Sequence, residues 1–537
     1  MFVFRVLLIS VLMLVAESTK RKSSNIVLIV ADDLGWNDIS FHGSNQILTP
    51  NIDLLSLSGK GLGRYYSHCI CTPSRSALMT GKYAHRIGMQ GFPLSNSEDR
   101  GLPTNEKILP QYLKELGYST HLVGKWHIGE SRTEFLPTER GFDSHFGHRG
   151  GFLDYYEYTL DEKWATGTVT GYGLFKNKTA AWGVEGYLTD VYTEEAKKVI
   201  KNHDKKKPLF LMLAHNAPHS ANEPAIVQAP PEDVRAMKHV EKTGRRIFAA
   251  MMKKLDDGIG EVVEALHNKG ILDNTVIVFI ADNGGMTSGF KMNYASNWPL
   301  RGLKMTPFEG GVRVPGLIWS QDFKTPQNLW NGYIHVTDWL PIFMNIAGAA
   351  PPNNISGIDL WNSIKANEDS SRQEMYEIDD RTGFASVIYG DFKLVTGHVT
   401  EEYSDYEGGD LRGIIGEPPS YNDAIEKSKV YGVLRKIGKP VKKIDYNLRK
   451  QIEVKCDRKD TDEICYPNKD KICLYNIKED PCETRDVSKE NPDIVVNMLQ
   501  LLKVELTKTV PRTDPPLASD PRSLPSLHNN TWDTFID

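Results

Sequence analysis

No apolar run beyond the first twenty residues comes near the roughly 20 residues that crossing hydrocarbon requires, which argues against an integral membrane protein. Surplus positive charge is missing too: 64 Lys and Arg stand against 69 Asp and Glu, a net charge of −5. Such a chain has little with which to displace counterions from a polyanion, and nucleic-acid binding is a poor fit. Gly (44) and Pro (29) show no excess and no internal repeat is visible, which excludes fibrous, disordered and low-complexity classes. What is present is an ordinary globular composition, 40% hydrophobic and 25% charged over 537 residues. A single core stops growing near roughly 250–300 residues, so at least two cores are expected.

Residues 1–18 read MFVFRVLLISVLMLVAES, with Arg5 ahead of an apolar run from Val6 to Ala16 and small residues at Ala16 and Ser18. These are the parts of a signal peptide, with an apolar run too short to span a bilayer. The mature chain is therefore expected in the secretory pathway. Its ending, Phe535-Ile536-Asp537, carries no retention signal, which leaves secretion or a lysosome-type compartment. Sequons at Asn177, Asn354 and Asn529 agree with that route. Of the six cysteines, Cys69 and Cys71 lie near the start, whereas Cys456, Cys465, Cys473 and Cys482 crowd a C-terminal stretch. In an oxidising compartment these four predict two local disulfides with three connectivities. Cys456–Cys465 with Cys473–Cys482 is preferred, and free thiols are the alternative.

Four apolar runs read as buried parallel strands, and each ends in polar residues that a core would not choose. Ile26–Ala31 leads to Asp32-Asp33, Thr120–Val123 to Lys125 and His127, Leu209–Ala214 to His215 and His219, and Val276–Ala281 to Asp282-Asn283. Helical periodicity separates them, at Leu109, Tyr112, Leu113 and Leu116 and again across 240–269. Alternating strands and helices imply an α/β domain with a mostly parallel sheet covered on both faces. Ligands gather beyond the carboxyl ends of such strands, so the four polar clusters should share one crevice. After about residue 385 the pattern turns antiparallel, with a hairpin expected across Gly390-Asp391, a helix from Pro492 to about Lys508, and a Pro-rich tail, 511–525, without regular structure.

Residues 69–81 read CICTPSRSALMTG. Thr72 suits a helix cap, Pro73 the first position and Gly81 the exit, which places Cys71 just ahead of a helix N-terminus that attracts anions. Arg75, one turn inside, can turn its guanidinium the same way. The residues alone describe an anion site with a cysteine at its mouth.

The pattern C-x-P-S-R-x-x-L-x-T-G from Cys71 to Gly81 resembles the signature of the type I sulfatases, the formylglycine-dependent family. The likeness extends to ADDLGWND (31–38), GKWHIG (124–129), ADNGG (281–285), RGLKMTPFEGGVRVP (301–315) and YNIKEDPCE (475–483), and the subgroup it most resembles is arylsulfatase B-like. The resemblance implies an alkaline-phosphatase-like fold, with a catalytic α/β domain over 19–384 and a smaller antiparallel α+β domain over 385–537. It also implies that Cys71 is oxidised to formylglycine (3-oxoalanine) by a formylglycine-generating enzyme during maturation. Asp32, Asp33, Asp282 and Asn283 match the family's calcium ligands, with the converted Cys71 side chain beside them. Oxygen donors suit a hard cation, although either acidic pair alone also reads as a turn or cap.

By the same resemblance, Arg75, Lys125 and Lys304 clamp the sulfate oxygens and His127 and His219 move protons. A solvated lysine or a structural histidine is the plainer reading of each taken singly, and His215 competes with His219. The implied chemistry is attack of the hydrated aldehyde on sulfur, departure of the alcohol with a proton from His219 assisted by Lys304, and release of sulfate as His127 deprotonates the second hydroxyl. Phe152, in GHRGGFLDYY (147–156), stands near the place where many relatives carry a serine or histidine, so substrate contacts do not transfer. His148, Arg149 and Tyr155 are candidates for the pocket wall or for a surface loop, and Cys69 has no assigned role. The expected activity is hydrolysis of a sulfate ester, the substrate being N-acetylgalactosamine-4-sulfate, an aryl sulfate or a glucosinolate. A phosphate or phosphonate monoester hydrolase and an inactive sulfatase-like binding protein are the rivals.

Overall fold

The computed structural model describes residues 23–323, 329–406, 409–439, 449, 452–456, 464–512, 514 and 518–537. The expected signal peptide lies outside them. A ten-stranded sheet is assembled from Asn25–Ala31 (β1), Lys60–Leu62 (β2), Ser119–Gly124 (β3), Ser144–His148 (β4), Leu174–Lys176 (β5), Thr179–Ala180 (β6), Leu209–Ala214 (β7), Thr275–Ala281 (β8), Gly316–Ser320 (β9) and Leu329–Trp330 (β10). Its spatial order is β10-β2-β9-β8-β1-β7-β3-β4-β5-β6. The central strands β8, β1, β7, β3 and β4 are parallel, and antiparallel strands border them on both sides. Every residue of β1, β7 and β8 is buried, as the continuous apolar runs require for a sheet covered on both faces.

Helices Pro50–Ser58 (α1), Cys71–Thr80 (α2), Leu109–Glu115 (α3), Leu188–Asn202 (α4) and Thr243–Lys269 (α5) flank the sheet. The apolar stripe of α5, from Phe248 through Leu255 and Ile259 to Leu266, is wholly buried, and Gly270 ends the helix in the left-handed conformation, φ +67°. Asp256, on the same helix, accepts from the free N–H groups of Asn51 and Ile52 at the start of α1 (3.1 and 2.8 Å). Gly124 at the end of β3 is a position where only glycine fits. Its φ is +104°, and a Cβ there would lie 1.8 Å from the carbonyl oxygen of Ala214. That close approach keeps β3 against β7 up to the point where the site begins.

A second sheet comprises Glu374–Asp379 (β11), Phe384–Tyr389 (β12), Phe392–Gly397 (β13) and Cys473–Asn476 (β14), all antiparallel in that order. It begins ahead of residue 385, because the hairpin there acquires β11 as an edge partner. One face packs on the helix Pro492–Leu506 (α6) through Met498 and Leu502, while the other meets Tyr66, Phe308 and Val312 of the large domain. The tail expected to lack structure forms short helical turns at Pro521–Ser523 and Pro525–Leu527 and returns to the large domain. There Trp532 is buried and donates to the Leu160 carbonyl at 2.9 Å.

The disulfides join Cys456 to Cys482 and Cys465 to Cys473, which corrects the preferred pairing. Cys473 opens β14 and Cys482 lies in the turn beyond its far end. A four-residue strand holds such positions roughly 10 Å or more apart, too far for one bridge.

The seam between the two sheets holds a buried charge group. Lys393 Nζ lies 3.1 Å from Glu309 Oε1 and 3.0 Å from Glu483 Oε1, with all three side chains at 0% exposure. One lysine thus serves two carboxylates, and burial pushes Glu483 up to about 7 despite Lys393. A carboxyl raised above its unfolded value near 4.5 binds its proton more tightly in the folded chain. The contribution of Glu483 to stability should therefore fall as pH rises from about 4.5 to about 7 and then level off. Between pH 5.0 and 7.5 in matched buffers, the stability of wild type relative to Glu483→Gln should drop by an amount on the order of 2 kcal/mol. An unchanged pH profile in that variant would remove Glu483 as the cause.

Candidate active site

The carboxyl ends of the central strands place the sequence's four polar clusters around one depression. Asp32 and Asp33 follow β1, Lys125 and His127 follow β3, His215 and His219 follow β7, and Asp282 and Asn283 follow β8. Cys71 is the first residue of α2 and is buried. Its sulfur and a carboxylate oxygen from each of Asp32 and Asp282 lie within 4.8 Å of one another, and Asp32, Asp33 and His219 form a second such group. Within the strand-end clusters two residues have positive φ, Asp33 at +61° and His127 at +60°. Non-glycine residues are uncommon there, and packing on every side holds them.

Three cations interleave with three carboxylates. Arg75 Nε donates to Asp282 Oδ2 at 2.9 Å, with Nη2 of the same residue 2.8 Å from that oxygen, and Nη1 reaches the Lys125 carbonyl at 3.3 Å. Lys125 Nζ donates to Asp32 Oδ2 at 2.7 Å, both side chains at 0% exposure. Lys304 Nζ lies 2.7 and 2.9 Å from the two oxygens of Asp33. Burial opposes the charge on Asp33, yet Lys304, His219 and the Asn283 amide together outweigh it and hold the carboxyl at about 2. Asp282 goes the other way: burial and then the neighbouring Asp32 push it up to about 6, against Arg75 and Lys125.

Hydrogen bonds fix the tautomers of the two histidines. His219 Nδ1 faces the Ser220 carbonyl at 2.7 Å, so this nitrogen carries the proton, and Nε2 presents its lone pair to Lys304 Nζ at 3.4 Å. In His127 the roles reverse. Nε2 donates to the Leu94 carbonyl at 2.8 Å, and Nδ1 is buried with no hydrogen-bond partner, which leaves its lone pair available as a base. Burial drives both rings toward the neutral form, to about 3 in His219, with Lys125 and Lys304 adding to the effect. Phe152 stacks on His219, ring centres 5.5 Å apart.

Other expected residues fall elsewhere. Both ring nitrogens of His215 are buried without partners, and it is His219 that lies 3.4 Å from Asp33. His148 bonds the Tyr192 hydroxyl, Arg149 pairs with Asp533, and the Tyr155 hydroxyl donates to the His219 carbonyl. None of the three lines the pocket, whereas Gly151 and Phe152 of the same stretch do. Cys69 is a buried free cysteine against Glu377.

Several supporting residues act in ways that no sequence pattern announces. Thr72 does not cap its helix: its hydroxyl donates to the His127 carbonyl at 3.0 Å and accepts from Leu94 N at 3.1 Å, anchoring both ends of the His127 clasp. Ser67 donates to the Asp282 carbonyl at 2.6 Å, and Asn293 to those of Asp33 and Pro218 at 2.9 and 3.0 Å.

A doubly wound sheet with paired acids, clustered cations and a helix-borne cysteine at the strand ends defines a hydrolase site for a tetrahedral oxyanion. The sulfatase family profile matches residues 24–349. Mouse arylsulfatase J is 34% identical over 542 residues, covering 96% of this chain and 81% of that one. Human N-acetylgalactosamine-6-sulfatase is 31% identical over 356 residues, 63% of this chain and 65% of that one. The solved structure described as "Crystal structure of Ps i-CgsB in complex with k-i-k-neocarrahexaose" superposes with a TM-score of 0.71 at 29% identity, covering 92% of this chain and 94% of that one. The chain belongs to the sulfatase family, enzymes that hydrolyse sulfate esters.

Proposed function

We propose that this protein hydrolyses a sulfate monoester of a sugar or small alcohol at a converted Cys71, with calcium held by Asp32, Asp33, Asp282 and Asn283. The observation that carries the reading is the meeting of Cys71, Asp32 and Asp282 within 4.8 Å, although more than 200 residues separate the last from the others. The donor set fits a hard cation. Asp32 Oδ1 and Asn283 Oδ1 are buried with no hydrogen-bond donor, which is costly for an oxygen unless something positive faces it. Three cations balance three carboxylates, so a divalent cation leaves the site with positive charge to attract the monoanionic ester, and the released sulfate dianion would bring it to neutrality.

When present, the cation supplies polarisation and the aldehyde hydrate supplies the attacking hydroxyl. The remaining steps fall to the chain's own groups. Arg75, Lys125 and Lys304 orient the sulfate oxygens and stabilise charge that develops on them. Lys304, 3.4 Å from His219 Nε2, forms with it a pair that delivers a proton to the departing oxygen. His127 Nδ1, buried with its lone pair unengaged, accepts the proton released when sulfate leaves. The names of the relatives cover both sulfated sugars and aryl sulfates, and either class satisfies this machinery. The secretory route rests on the leader-like first residues, and the exposed sequon asparagines Asn354 and Asn529 accord with it. Among the described residues no helix is long and apolar enough to cross a membrane.

The test pairs two measurements on protein from a eukaryotic host. Turnover of 4-nitrophenyl sulfate should exceed that of 4-nitrophenyl phosphate by at least about a hundredfold, and the tryptic peptide containing position 71 should carry the aldehyde mass. A thiol at that position in active protein, or preference for the phosphate, would overturn the proposal.

A further inference from the structure

The depression above Cys71 opens into a cavity of about 450 Å³. Its floor is the cation cluster already described, but its walls have a different character. Phe152 stands against His219, while Phe92 and Phe290 form part of the rim with 52% and 67% of their surface exposed. Met286 and Met305 add flexible apolar surface between floor and rim. Large aromatic side chains left this exposed around a concave site mark a surface waiting for apolar contact.

The charged wall residues do not favour a polyanion. Lys291 Nζ lies 3.9 Å over the Phe152 ring and donates to the Ala221 carbonyl at 3.2 Å, so it is already engaged. Lys163 lies 3.7 Å from Glu223, and Asp161 and Glu162 stand beside it. Beyond Arg75, Lys125 and Lys304 the wall thus carries more carboxylates than cations. A second sulfate on a glycan chain would meet negative charge there.

Building on the sulfate-ester reading above, we infer that the pocket selects esters whose alcohol is compact, uncharged and largely apolar or aromatic, gripped by Phe92, Phe152 and Phe290, and disfavours polysulfated glycans. The sulfate enters the polar floor, and the rest of the substrate exchanges water for aromatic surface.

Sulfonates test this without chemistry, because their C–S bond is not hydrolysed. Calorimetric titration with methane-, propane- and hexanesulfonate should show affinity rising about threefold to fourfold for each methylene that enters the pocket. A chondroitin 4-sulfate oligosaccharide should bind more weakly than hexanesulfonate. Phe290→Ala, at an exposed position where folding is not at stake, should reduce the gain per methylene. Affinity independent of chain length, an undiminished gain in Phe290→Ala, or tighter binding of the oligosaccharide would overturn the inference. Failure of methanesulfonate and inorganic sulfate alike to bind would instead strike the anion site itself, so the two claims fail separately.

Discussion

Replacing Cys71 by alanine should lower turnover of an aryl sulfate by about 10⁴-fold or more, the scale seen when a covalent nucleophile is removed. The side chain lies at the N-terminus of α2, flanked by Asp32 and Asp282, and among the described residues it is the cysteine of that cluster. Burial pushes its thiol up from the ordinary value, so the unmodified residue is a poor nucleophile near neutrality. Loss of activity without loss of fold is the expected pattern, since deleting one sulfur from this polar pocket disturbs little packing. Thermal melting should stay within about 1 kcal/mol of wild type. A Cys71→Ala protein that keeps even a tenth of the activity would show that another group attacks sulfur.

Calcium should raise the melting temperature of chelator-treated protein and restore its activity. At a hundred times the dissociation constant the stabilisation is about 2.7 kcal/mol. Asp32→Asn should abolish the response, because it removes a charge and places a donor where a lone pair is needed while keeping the side chain's shape. Asp32 also faces Lys125 at 2.7 Å, so the variant leaves that buried lysine short of its partner. It should melt lower than wild type even with chelator present, on the order of 3 kcal/mol. Asn283→Ala separates the two effects: Oδ1 of Asn283 has no donor, and its loss should weaken calcium binding without stranding a charge. Equal calcium responses in wild type and both variants would dispose of the cation.

The central strands were legible because burial on both faces demands continuous apolar runs. The polar residues just past each run were conspicuous because a core has no use for them. Those two signals place Asp32, Asp33, Lys125, His127, His215, His219, Asp282 and Asn283 at one end of the sheet, without separating His215 from His219. Lys304 lies in a loop with no periodicity, and only the resemblance singled it out. Thr72, Ser67 and Asn293 were out of reach, since their work is bonding to main-chain carbonyls that are distant in sequence. The disulfide pairing failed for a similar reason: sequence proximity says nothing about which end of β14 each cysteine occupies. His148, Arg149 and Tyr155 were misplaced because a Gly-rich loop gives no account of which side chains turn inward.

The position of β1 in the middle of the sheet has a consequence for biosynthesis. Its two hydrogen-bonding neighbours are β7 and β8, the second paired through Ile26 and Val276, about 250 residues later. At ribosomal speeds of about 5–20 residues per second, roughly 10–50 s pass before that partner emerges. Throughout that interval Asp282, the anchor of Arg75, does not yet exist, and the cover it gives the segment around Cys71 is incomplete. If Cys71 is converted as proposed, the converting enzyme would find its opportunity on the nascent chain, because in the finished protein only 2% of the residue remains in view.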